Sequence, residues 1–64
     1  MPIFNVKVRL TNRDGNAFAI LGNCQRAARN AGISKDEINA FMEEAMNGDY
    51  DHLLRTCMKY FEVE

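Results

Sequence analysis

The densest set of groups able to do chemistry is Asp49-Tyr50-Asp51-His52, in which one imidazole stands beside two carboxylates. Histidine exchanges protons near neutral pH, so this run has the composition of an acid-base pair. A nucleophile to go with it is missing from the same face. Cys57 lies five residues on, about 140° around a helix from His52. The same letters are explained by Asp49 as a helix N-cap, Asp51 in a first turn favoured by the helix dipole, and Tyr50 packing inward. Cys24, Cys57 and His52 are too few and too scattered for a structural zinc site, which takes four ligands, so neither a metal nor any other cofactor is expected. The expectation is a protein that binds without catalysing, with no catalytic residue assigned.

The cations form a clearer pattern. Residues 1–32 hold Lys7, Arg9, Arg13, Arg26 and Arg29 against Asp14, a net of +4. Residues 33–64 hold three cations against eight acids, a net of -5, and the halves nearly cancel to the overall -1. Opposite halves can neutralise each other within one fold or pair between copies. Arg26 and Arg29 are three apart on the polar side of a helix, with Gly22 one turn earlier, and two guanidiniums so placed suit phosphate or carboxylate. A solvated helix face is the plainer account of the same spacing. Arg13-Asp14-Gly15-Asn16 sets a cation beside the free amides of a helix start, where anions are attracted. A turn followed by a cap explains that segment equally, and the glycine spacing fits neither phosphate-loop fingerprint. Arg13, Asn16, Arg26 and Arg29, with Lys7 and Arg9, are the expected ligand-binding residues.

These groups need a scaffold, and 64 residues allow a single domain, 1–64, with a small core. Phe4 to Leu10 alternates apolar and polar residues as a half-buried strand does. Asp14-Gly15 marks a turn and Asn16 can cap the helix that follows. Ala17, Ile20, Leu21, Cys24, Ala27, Ala28 and Ala31 form one continuous helical stripe, ended by Gly32. Ser34 and Glu37 have the spacing of a capping box, each reaching toward a free backbone amide of the other's end. The second helix then buries Ile38, Phe41, Met42 and Ala45 and closes at Gly48. Asp49 caps a third helix carrying Tyr50, Leu53, Leu54, Cys57, Met58 and Phe61, which yields to a strand near Lys59.

The expected fold class is therefore α+β: strand, three helices, strand, with helices covering one face of a two-stranded sheet. Lys7 and Arg9 would face Glu62 and Glu64 whichever way the strands run. Two strands leave exposed edges, so extension by homodimerisation is expected. Met46, at the border of the second stripe, is the methionine expected at an interface.

Ala28 to Phe41 also has the spacing of a helix-turn-helix. Its second helix carries Lys35 against Asp36, Glu37, Glu43 and Glu44, which repels phosphates and disfavours nucleic acid. No apolar run approaches the ~20 residues that cross a bilayer, so no membrane role is expected. One disulfide between Cys24 and Cys57 is arithmetically possible, but with no signal peptide before them and both on apolar helical positions they read as reduced core residues of a cytoplasmic protein.

The segments Lys7-Val-Arg-Leu10, Asp14-Gly-Asn-Ala-Phe18 with Ile20-Leu-Gly22, and Gly48-Asp-Tyr-Asp-His-Leu-Leu-Arg-Thr56 resemble small bacterial and phage-encoded proteins of no assigned activity. The likeness spans nearly the whole chain. It implies a compact accessory protein, of a kind that in phages inhibits host defence proteins or soaks up host signalling molecules. Sequestration of an anionic, nucleotide-like small molecule by a self-associating protein is the leading expectation. Inhibition of a host enzyme through the acidic half, Met46 or Tyr50 is the alternative.

Overall fold

A computed structural model describes residues 2–9 and 17–64. In chain order these form β1 (Lys7–Val8), α1 (Ala17–Asn30), α2 (Lys35–Ala45), α3 (Tyr50–Tyr60) and β2 (Glu62–Val63). This is the expected α+β arrangement. The strand direction, which periodicity left open, is parallel, with Lys7 opposite Glu62 and Val8 opposite Val63. Parallel strands need a long crossover, and the three helices supply it.

Both strands are shorter than their alternation predicts. Asn5 has φ of 53°, the left-handed region, which breaks the extended run before β1 begins. The amides ahead of that bend are used at the end of α3 instead. Ile3 N–H donates to Lys59 O at 3.2 Å and Phe4 N–H to Tyr60 O at 2.9 Å, satisfying two carbonyls that a helix end would leave unpaired. β2 then takes over, with Glu62 N–H on Val6 O and Glu64 N–H on Val8 O. Lys7, Arg9, Glu62 and Glu64 are exposed, while Val8 and Phe61 are buried toward the helices.

The core joins Ile20, Leu21, Cys24 and Ala28 of α1 to Ile38, Phe41 and Ala45 of α2 and to Leu53 and Cys57 of α3. Its centre is aromatic. Phe41 and Phe61, each at most 1% exposed, meet edge to face at 5.0 Å, and Phe4 packs on both at 6.2 and 5.3 Å. Tyr60 lies 5.1 Å from Phe4 and 5.2 Å from Phe41, ring centre to ring centre. Such geometries add to the burial of large rings, so one residue from the first strand region closes a core made by the last two helices.

The helix ends follow their sequence signals with two differences. Gly32, at φ of 86°, ends α1 in a Schellman turn: Ile33 N–H reaches Ala28 O at 3.0 Å and Gly32 N–H reaches Arg29 O at 3.1 Å. Ser34 Oγ accepts from Glu37 N–H at 3.2 Å, but the Glu37 carboxylate returns to the Ser34 hydroxyl rather than to its backbone amide. α2 stops at Ala45 with Met46 as C-cap, three residues before Gly48 was expected to close it. Asp49 caps α3 as expected, its carboxylate accepting from His52 N–H at 2.9 Å. Tyr50 and Met58, placed on the inward stripe by their spacing, are 43% and 59% exposed.

Candidate functional site

The Schellman turn and the capping box stand back to back, and between them they shape a cleft. Gln25 and Arg29 rise from successive turns of α1, Lys35 and Asn39 from successive turns of α2, and Ile33 and Ile38 complete the lining. The concavity measures about 310 Å³. Arg29 and Lys35 supply positive charge, Gln25 and Asn39 supply both donors and acceptors, and the isoleucines supply an apolar surface. A guanidinium and an ammonium together can hold phosphate or carboxylate oxygens, the first with a planar fork and the second as a compact charge.

Among the described residues expected to bind a ligand, Arg29 is the one that lines this cleft. Arg26 is exposed on α1, one turn nearer its start, and does not line it. Lys7 and Arg9 occupy the outer side of the sheet, where Lys7 is in register with Glu62, so they are not gathered with Arg29. Arg13 and Asn16 lie outside the described residues, as does the turn between them. Lys35, Gln25 and Asn39 were not among the expected binding residues. Lys35 belongs to a net-acidic helix, which concealed that the Gly32 turn and Ser34 cap place it across from Arg29.

His52 has structural partners. Its Nε2 is 2.8 Å from the Glu44 carbonyl oxygen and 3.5 Å from Thr56 Oγ1, while the Thr56 hydroxyl donates to the His52 carbonyl at 2.8 Å. The ring occupies the space beside Gly48: a Cβ there would fall 2.6 Å from His52 Cγ. Cys57 turns to the opposite, buried side and meets Cys24. Histidine and thiol thus face different neighbours.

Glu44 joins α2 to α3. Its carboxylate accepts from Lys59 Nζ at 2.9 Å and from the Tyr60 hydroxyl at 2.8 Å. The Lys59 bond, followed by the Tyr60 bond, holds the Glu44 carboxyl below its ordinary range, and the same contacts raise Lys59 and Tyr60. Among the described residues no group of three or more His, Cys, Asp or Glu is arranged to hold a metal, and no helix is long and apolar enough to cross a membrane.

A second, more apolar hollow of about 230 Å³ lies on another face. Leu21, Ala45 and Leu53 are among its lining, together with Met46, which is 56% exposed, and Tyr50. No family model, curated protein or solved structure matches the chain.

Proposed function

We propose that the protein is a non-enzymatic binder that self-associates and sequesters an anionic, nucleotide-like small molecule in the cleft between α1 and α2. The observation that carries this reading is Arg29 and Lys35 lining one concavity with two carboxamides and two isoleucines. A nucleotide presents the matching set: phosphate oxygens for the cations, a hydrogen-bonding base edge for Gln25 and Asn39, and a flat base face for the half-buried Ile33, with Ile38 buried beneath it as part of the floor. A volume of about 310 Å³ falls at the small end of ligand pockets, which suits one nucleotide unit better than a polymer. Withdrawal of a host signalling nucleotide by a phage-encoded accessory protein is the setting that the resemblance implies.

Calorimetry with linear and cyclic nucleotides, inorganic phosphate and an unphosphorylated nucleoside tests the reading. Nucleotides should give saturable heat, phosphate or nucleoside alone much less, and the double variant Arg29→Ala, Lys35→Ala should lose affinity by roughly tenfold or more. Absence of heat with every nucleotide, or an unchanged affinity in the double variant, would reject it.

The hollow beside Met46 and Tyr50 favours a second reading, a protein-interaction module that blocks a host enzyme. Exposed methionine and tyrosine beside a concave apolar surface are common features of protein contacts. A stoichiometric protein partner that Met46→Asp releases, with nucleotides giving no heat, would select it over the first.

A further inference from the structure

Cys24 of α1 and Cys57 of α3 are both free, both 0% exposed, and 3.7 Å apart from sulfur to sulfur. A disulfide holds its sulfurs at about 2.0 Å, so closure requires an approach of roughly 1.7 Å. The two residues are 33 apart in sequence, and the helices that carry them are brought together by the fold. Neither thiol contributes to the cleft, and His52 is directed at the Glu44 carbonyl. Placing two oxidisable side chains in mutual contact in a dry core gives the pair a chemistry that two alanines or valines would lack.

We propose that Cys24 and Cys57 are a redox modification site, closing into an internal disulfide that staples α1 to α3 when a small-molecule disulfide oxidant is present. Cys57 gives up its proton and its thiolate sulfur attacks one sulfur of the oxidant, forming a mixed disulfide and expelling one small thiolate, which takes up a proton. Cys24 then gives up its proton and its sulfur attacks that of Cys57, breaking the mixed disulfide and expelling the second small thiolate. The two protein thiols lose two protons and two electrons, and the oxidant is reduced to two thiols. Before opening, the hydrogen bond between them distinguishes the two thiols, while in the opened core either can attack first with the same balance. Cys24 S–H donates to Cys57 Sγ, which with burial raises the Cys24 thiol far above its ordinary value and, by favouring thiolate on the acceptor, lowers Cys57.

Complete burial sets the rate. The oxidant reaches sulfur only when α1 and α3 separate, so oxidation is paced by local opening and should quicken in mild denaturant. Once closed, the bond shortens the free chain by a loop that includes all of α2. Restricting the unfolded chain in this way should raise the melting temperature by roughly 15–30 °C for a domain of this size.

The test uses the full chain incubated with oxidised glutathione across low urea concentrations, followed by non-reducing intact mass, peptide mapping and thermal melting. Expected are a loss of about 2 Da without retained glutathione, a Cys24–Cys57 linked peptide, and a higher melting temperature that reductant reverses. Cys24→Ser should prevent both the internal link and the thermal gain, and the wild-type measurements stand without that variant. Two glutathione adducts per chain, a reductant-sensitive dimer, an unchanged mass, or a crosslinked form that melts no higher than the reduced one would each overturn the proposal.

Discussion

At the scale of single residues, Gly48 acts through the side chain that lies against it. Its expected role was to close α2, yet α2 ends at Ala45 with Met46 as its cap, and Gly48 is where the His52 ring comes closest. A side chain at 48 must displace that ring and with it the hydrogen bond to Glu44 O. Gly48→Ala should therefore lower stability by about 1–3 kcal/mol, as overpacking does. In a His52→Ala background the same change should cost less by about 0.5 kcal/mol or more, because the ring atoms Cγ and Cδ2 are gone while Cβ still lies 2.8 Å from the added carbon. Urea titrations of the four proteins in this cycle measure both numbers, and an equal cost in the two backgrounds would show that the ring is not the obstacle. Nothing in local sequence marks this contact, since a glycine four residues before a histidine is an ordinary spacing.

Among elements, the link between α2 and α3 concentrates in Glu44, which also anchors the Tyr60 hydroxyl at the border of the aromatic core. Because the folded-state pKa of Glu44 is depressed below its ordinary 4.5, its contribution is present above that value and lost as pH falls through the lower folded value. Lys59 and Tyr60 have raised folded-state values, so their contributions hold below their ordinary values of 10.5 and 10.0 and are lost as pH rises past them. Glu44→Gln should flatten the acid side of the stability profile below about pH 4.5 while leaving the slope between pH 5 and 8 nearly unchanged. Chemical denaturation at stepped pH reads this directly, and an acid limb as steep as the parent's would place the titrating group elsewhere. The helix boundaries themselves were readable because caps are local: Gly32, Ser34 and Asp49 each act within a few residues of their own position. The strands were overestimated because alternation reports which side chains turn inward and says nothing of a backbone bend such as that at Asn5.

For the whole molecule, a sheet of two very short strands, each paired with one neighbour among the described residues, is the basis for expecting association between copies. Sedimentation velocity and native mass spectrometry should find a dimer or higher assembly at micromolar concentration, and a single subunit persisting at the highest concentrations would remove self-association from the functional reading. The inward stripes of α1 as far as Ala28 and of α2, the caps at Gly32, Ser34 and Asp49 and the α+β order are determined by sequence alone, because amphipathic period and capping depend on neighbours within a turn or two, whereas Ala31, expected on the α1 stripe, is exposed beyond the helix end. The inward assignment of Tyr50 and Met58 failed for the complementary reason: a helical stripe defines a direction, and only the position of the other helices decides how far burial extends around it. The parallel register, the closure of the aromatic cluster by Phe4, the meeting of Cys24 with Cys57 and the cleft that gathers Arg29 with Lys35 are tertiary outcomes. Each depends on how separate elements approach one another, which is set by the packing of all their side chains together and is carried by no single stretch of chain.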